Sequence, residues 1–400
     1  MKSILITGGA GFIGSNFLRF LLEKGLEKDA DNPSIADNFS AVINLDCLSY
    51  AGNLENLKGI EKHKNYYFIQ GDICDTALVE RIFKEYNVTS VIHFAAESHV
   101  DNSIATPEVF IKTNVYGTWN LLNCAYKHWL DSPFCHKNGY EDALFHHIST
   151  DEVYGSLGEK GKFSETTPYA PNSPYSASKA SSDMIVRSYA HTFGLNAVIT
   201  NCSNNYGMHQ HDEKLIPTII RNALLGKEIP IYGDGKNVRD WLFVEDHCDA
   251  ICAVFEYAKN KIMTLDSNGG GGLLNENPLS KNKSSQNQHN TKSQKQQIFD
   301  ENKVFFECFN IGGNEERENL NIAKTICAYL DEKMPKKDSY AKQIRFVQDR
   351  AGHDRRYAID STKLQKTLGW KPKHSFESGI AKTIEWYIKK YTQSDQTEYG

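Results

Sequence analysis

Apolar and polar positions alternate in blocks along the first half of the chain. Short β-rich runs are followed by longer stretches whose apolar residues recur three and four apart. Ser3–Thr7 reads as an apolar strand, followed by a glycine turn and a helix from about Gly11 to Lys24. Ala41–Asp46 and Tyr66–Gln70 are further strands, and Ala77–Tyr86 is a helix. Val91–Phe94 and Leu144–Ser149 are strands flanking a helix over about Val109–Trp129. A long helix begins after Pro174 and covers Tyr175–Phe193, and Ala197–Thr200 is the next strand. Short strands joined by helices imply parallel pairing, right-handed crossovers and helices on both faces of one sheet. The fold class is therefore α/β, a doubly wound parallel sheet. From about Ser203 the pattern turns irregular, as a smaller second part would, and a helix ending near Lys261 and a strand over Val304–Asn310 follow.

Mean hydropathy is −0.52 although 11% of the residues are aromatic, so some segment dilutes the average. Asp266–Gln297 is that segment, rich in Gly, Ser, Asn, Gln and Lys and without an aromatic residue. It cannot bury enough surface to offset its ordering entropy and reads as a disordered low-complexity insertion; a partner-binding segment is the sharper alternative. The 400 residues carry 45 basic and 50 acidic side chains, a net charge of −5, which excludes a globally basic nucleic-acid binder. No stretch approaches the roughly 18 apolar residues of a membrane span. The apolar run at the N-terminus is too short for a signal-peptide core. Nine scattered cysteines without a C-x-x-C pair argue against a zinc site or disulfide framework and for a reducing cytoplasm. No metal is expected.

Chemistry enters with the first turn. Gly8, Gly11 and Gly14 give G-x-x-G-x-x-G directly after a strand and at the opening of a helix, with Phe12 and Ile13 inside the motif. Such a turn lets a pyrophosphate approach the free N–H groups of a helix N-terminus, so the sheet is read as Rossmann-type. Asp46 ends the second strand, where an acid accepts from both ribose hydroxyls and repels a 2′-phosphate, favouring NAD over NADP. It lies farther from the glycines than usual, and Lys28–Ser40, polar and carrying a proline, reads as a loop insertion that explains the excess. Asp72 and Ile73 follow the third strand as candidates for the adenine. Phe94, Ala95, Ala96 and Ser98 follow the fourth, where small residues let a cofactor pass close to the backbone. Tyr175 and Lys179 are four apart, on one face of a helix, where the ammonium favours phenolate and lowers the tyrosine pKa towards a working base.

These features together resemble the extended short-chain dehydrogenase/reductase family over nearly the whole chain outside the insertions. Ser149-Thr150-Asp151-Glu152-Val153-Tyr154-Gly155 narrows the resemblance to its nucleoside-diphosphate-sugar 4,6-dehydratases, and to the dTDP-glucose enzymes among them. Asp46-Cys47-Leu48-Ser49-Tyr50-Ala51-Gly52-Asn53 resembles that family's adenosine-ribose loop, and the segments containing Ser98 and Thr113 resemble those near its nicotinamide. The resemblance implies NAD held throughout a reaction without net redox change, and dTDP-glucose as substrate. Tyr175 would take the 4-hydroxyl proton, with Lys179 and Thr150 assisting. Glu152 would remove the C5 proton, and protonated Asp151 would supply the proton on which the 6-hydroxyl leaves as water. One acid must be ionised and its neighbour protonated.

Further segments resemble the family's substrate half. Asn204 and Asn310 would bond the diphosphate or sugar, Arg239 and Arg350 would present planar forks to the diphosphate, and Asn205 is assigned to the cofactor. Lys214, Leu215, Ile216, Pro217, Pro230, Tyr232 and His353 complete the expected substrate set, with Leu215, Ile216 and Tyr232 lining a flat slot for the base. Two positions depart from the pattern: Asn102 stands where Arg is common after Val-Asp, and Ala351 where Pro is common between Arg and Gly. A UDP- or GDP-sugar dehydratase, a C4-epimerase and a non-catalytic NAD-binding scaffold are the rival readings, and the acid pair disfavours the last two. The expected division is an NAD-binding domain over 1–202, rejoined by 238–263 and 304–312, and a smaller substrate-binding domain over 203–237 and 313–400. A homodimer is implied by resemblance, with the Val109–Trp129 and Tyr175–Phe193 helices forming its four-helix bundle.

Overall fold

The computed structural model describes residues 2–23, 35–267, 304–349 and 353–394. Seven apolar runs form strands: β1 Ser3–Thr7, β2 Ala41–Asp46, β3 Tyr66–Gln70, β4 Val88–His93, β5 Leu144–Thr150, β6 Ala197–Cys202 and β7 Phe306–Ile311. They make one parallel sheet in the order β3-β2-β1-β4-β5-β6-β7. Every residue of β1, β2, β4, β5 and β6 is buried, which explains their continuous rather than alternating apolar character. Helices Phe12–Glu23 and Val244–Ser267 cover one face. Thr76–Tyr86, Thr118–Trp129 and Pro174–Phe193 cover the other. Strand order reverses between β1 and β4, which opens a ligand crevice at their carboxyl ends.

Three expectations are corrected. Lys28–Ser40 is not simply a polar loop. Residues 28–34 lie outside the described set, but Ile35–Asn38 forms a short 3-10 turn, and Ile35, Ala36 and Phe39 are buried in the apolar layer. The helix expected over Val109–Trp129 is continuous but not uniform, because Ile111–Gly117 widens into a π-helical turn between Pro107–Phe110 and Thr118–Trp129. Gly117 there passes so close to the loop after β3 that a Cβ would lie 2.5 Å from Ile73 Cδ1. The helix expected to end near Lys261 runs on to Ser267, and the remainder of the Asp266–Gln297 segment lies outside the described residues.

The smaller part has its own core of Tyr206, Ile216, Trp241, Ile322, Ile326 and Tyr387. Strands Asn204–Tyr206, Val238–Phe243 and Glu316–Glu318 form a three-stranded sheet beside it. Val238–Phe243 therefore pairs outside the seven-stranded sheet, and the chain returns to the large layer only with the helix that begins at Val244.

Candidate active site

At the crevice the turn after β1 takes its shape from glycine. Gly8 has φ +73°, and a Cβ on it would lie 2.6 Å from the Ala95 amide nitrogen, while one on Gly14 would lie 2.3 Å from the Gly8 carbonyl oxygen. No other residue allows the loops after β1 and β4 to touch here. Asp46 ends β2 with its carboxylate accepting from the Ala10 and Leu48 N–H groups, each at 2.8 Å. Burial raises its pKa and these two amides oppose the rise. A buried acid fixed beside a glycine cradle and a helix N-terminus fits a dinucleotide with free ribose hydroxyls. Cys47 is exposed on the following loop, beside Ser49; Asp72 Oδ1 accepts from the Cys74 N–H, and Ile73 is buried. After β4, Phe94 N–H donates to the Thr7 carbonyl and Ala95 N–H to the Thr7 hydroxyl, which leads Ala96 and Ser98 past the glycines.

The catalytic candidates meet at the end of β5. Thr150 caps a 3-10 turn over Asp151–Tyr154, its hydroxyl accepting from the Glu152 N–H at 3.2 Å. Ser173, with a reciprocal bond to Ser176 and Pro174 at the first helical position, starts the next helix so that Tyr175 faces this turn. Thr150 hydrogen-bonds the Tyr175 hydroxyl. Asp151 is buried and its Oδ2 has no hydrogen-bond partner, whereas Glu152 is only partly buried. Burial first, then the charges of Glu152 and Asp240, push the Asp151 carboxyl well above the usual range. Asp151 thus stands as a buried acid beside one more open to water.

Lys179 differs from expectation. Its ammonium donates to the Ile148 carbonyl at 2.8 Å and lies 3.4 Å from His147 Nε2. Burial, followed by the negative charge of Glu152, raises the Tyr175 pKa, and the Thr150 hydrogen bond opposes it. Helical spacing sets which face a side chain occupies, but a desolvated ammonium turns to the nearest carbonyl.

Substrate candidates divide. Lys214 donates to the Ser98 carbonyl at 3.0 Å, bringing two of them together. Asn204 Oδ1 is buried without a partner and free to bond a ligand. Tyr232 is exposed, its ring 6.4 Å from that of His353, which in turn bonds Asp349 at 2.6 Å. Leu215 is partly buried at the start of its helix and Pro230 partly buried on its strand. Five candidate side chains do not sit as expected. Ile216 is fully buried in the smaller core and Pro217 beside it is buried, so neither side chain lines an open slot. Asn310 is buried, with its side chain engaged by Tyr154 and the Phe163 carbonyl. Arg239 donates to the carbonyls of Val238 and Asp354 and stacks 4.3 Å over Tyr357, so its fork braces a loop. Asn205 is tied to His247 and the Ser203 carbonyl. Arg350 and Ala351 lie outside the described residues, and Asn102 is exposed on the short Val100–Ala105 helix.

Asn114, within the π-helical turn beside Thr113, was passed over as a site residue. It accepts from the Glu97 N–H, donates to the Glu97 carbonyl and donates to Ser178, clamping the post-β4 loop to the Tyr175 helix. Tyr50, within the segment that resembles the adenosine-ribose loop, bonds Ser98 and Glu213. Their segments carry a resemblance, but no local pattern shows these contacts, because the partners are distant in sequence.

The family model described as GDP-mannose 4,6 dehydratase matches residues 5–305 and 290–383. A dTDP-glucose 4,6-dehydratase of Xanthomonas campestris pv. campestris is 45% identical over 394 residues, covering 98% of this chain and 95% of that protein. Among solved structures, dTDP-glucose 4,6-dehydratase from Bacillus anthracis in complex with NAD is 40% identical with a TM-score of 0.72, covering 97% of both chains. The Streptomyces venezuelae enzyme, with NAD and TYD bound, is 37% identical with a TM-score of 0.75, covering 98% of both.

Proposed function

The chain belongs to the dTDP-glucose 4,6-dehydratase family, and on that premise we propose that it converts dTDP-glucose to dTDP-4-keto-6-deoxyglucose and water. The observation that carries this reading is the buried Asp151, its Oδ2 without a hydrogen-bond partner, beside Glu152 and next to the Thr150–Tyr175 hydrogen bond. An epimerase has no water to eliminate and no need of that pair.

Gly8, Gly11, Gly14, Asp46, Asp72 and Ala95 would hold NAD. When bound, it accepts hydride from sugar C4 and returns it to C6. Tyr175 takes the proton of the 4-hydroxyl, with Thr150 bonding the same oxygen and Lys179 contributing positive charge. The 4-ketone acidifies the C5 proton; Glu152 removes it and gives a proton back to C5 as C6 is reduced. Asp151 gives its proton to the departing 6-hydroxyl. Its burial favours the protonated carboxyl, as the elimination needs. Asn204 and Lys214 would contact the nucleotide sugar from the smaller part.

Incubation with dTDP-, UDP- and GDP-glucose, with detection of a keto product, tests the assignment. Turnover of dTDP-glucose is expected; product only from another nucleotide would overturn the substrate, and none from any would overturn the activity.

The same reading extends to organisation. The cofactor is assigned to the large part and the sugar to the smaller one. The chain is read as a homodimer. Support comes from an apolar hollow of about 540 Å³ between the Ile111–Trp129 and Pro174–Phe193 helices, lined by Ile111, Val115, Tyr116, Trp119 and Ile185. Ile111 is 51% and Met184 49% exposed on that side. No helix among the described residues is long and apolar enough to cross a membrane, and all nine cysteines are free, which supports a cytoplasmic location.

A further inference from the structure

The Tyr175–Lys179 spacing continues one turn to Asp183, so three side chains stand at i, i+4 and i+8 on one face of the Pro174–Phe193 helix. Asp183 is fully buried, and the reaction as described does not use it. Its carboxylate is nonetheless held firmly. Oδ2 accepts from Ser149 at 2.8 Å and Tyr169 at 2.9 Å, with Asn201 Nδ2 at 3.4 Å. Oδ1 takes no hydrogen bond and faces His147 Nε2 at 3.2 Å. That same imidazole nitrogen is the one 3.4 Å from the Lys179 ammonium. His147 therefore stands between the lysine and the aspartate.

Burying an ammonium is unfavourable unless an opposite charge is buried with it. We propose that Asp183, facing Lys179 across the His147 ring, is the positioning residue whose buried negative charge keeps Lys179 charged for the oxidation of the sugar. This rests on the role given to Lys179 above. Burial lowers the Lys179 pKa, and Asp183 is the first influence that raises it again. Burial pushes the Asp183 carboxyl up to about 6, and Lys179 leads the influences that pull it back. At neutral pH the carboxylate is therefore ionised. His147 is kept neutral by burial and by the lysine charge. His93 on β4, its ring 5.2 Å from that of His147, is likewise held neutral by burial. The remaining groups facing the pair supply no anion: the Cys202 thiol on β6 and the Cys308 thiol on β7 are both pushed up to about 12, and burial raises the Tyr154 and Tyr169 phenols. Asp183 is the counter-charge of Lys179.

Asp183→Asn keeps the shape and an acceptor for Ser149 and Tyr169 but removes the charge. The alkaline limb of the kcat–pH profile should move down by about one pH unit or more, and kcat at pH 8 should fall about tenfold or more. KM for dTDP-glucose should stay within about twofold, since Asp183 reaches the substrate only through Lys179. Asp183→Glu should recover part of the loss. Asp183→Ser, smaller and also uncharged, should move the same limb in the same direction, which keeps the test open if the Asn variant does not fold. NAD affinity measured across pH reports the same lysine without the sugar. A chain inactive on dTDP-glucose would sink the reaction assignment while leaving this readout intact. Folded variants whose pH profiles match the wild type in turnover and NAD affinity would overturn the proposal. So would a loss uniform across pH that Glu does not recover.

Discussion

Asp151 and Glu152 are adjacent in sequence and chemically unequal. Asp151 is buried with an unpartnered oxygen, whereas Glu152 is partly exposed. Burial raises the Asp151 pKa, and a dehydration needs one acid of such a pair to hold its proton. Glu152→Gln should still oxidise the sugar and reduce the cofactor, yet fail to eliminate water, with turnover down about 100-fold or more. Rapid-mixing absorbance of the reduced nicotinamide, alongside product assay, checks this; full dehydration by that variant would contradict the role. Such residues are legible because contiguity or helical spacing marks them, as it marks Tyr175. The direction of the Lys179 ammonium, and the places of Asp183 and His147, are not legible. His147 sits on a strand buried on both faces, where every position reads alike. Arg239 and Asn310 mislead for a related reason: residue type shows that a side chain can bond a phosphate, but not that carbonyls and Tyr154 already occupy it.

Among elements, the turn after β1 is the most constrained. A methyl at Gly14 would meet the Gly8 carbonyl at 2.3 Å, and backbone cannot move aside cheaply. Gly14→Ala should weaken NAD binding about tenfold or more and cost about 1–3 kcal/mol of stability, measured by cofactor titration and denaturant unfolding. On the opposite side of the sheet, Trp119→Glu places a charge in the apolar hollow and should give a monomer by sedimentation. An unchanged oligomer would argue against that face as the interface. The strands and most helices are legible from apolar periodicity. The π-helical turn is not, because Ile111–Gly117 has ordinary helical composition and its widening coincides with a contact made in three dimensions, Gly117 against Ile73.

For the whole molecule, the sequence pattern makes the parallel sheet legible, while its smaller partner reads only as irregular chain. Among the described residues that part is built from short strands and helices whose pairing joins distant segments, such as Val238–Phe243 with Glu316–Glu318. The buried histidines set a global pH response. His146 and His247 are lowered to about 3, and His93 and His147 also lie well below their ordinary value, all chiefly by burial. A lowered folded pKa means that the unfolded chain binds protons first as pH falls below about 6.5, so these groups subtract stability there. The raised acids, Asp46, Asp151, Asp183 and Asp240 among them, act in the opposite sense above about pH 4. His146→Gln should therefore lose less melting temperature than the wild type between pH 7 and pH 5, and an equal loss in both would contradict the part given to that histidine. Hydride should leave C4 and return to C6 within one closed site. With dTDP-glucose deuterated at C4, deuterium is expected at C6 of the 4-keto-6-deoxy product, and loss of the label to solvent would contradict an internal return.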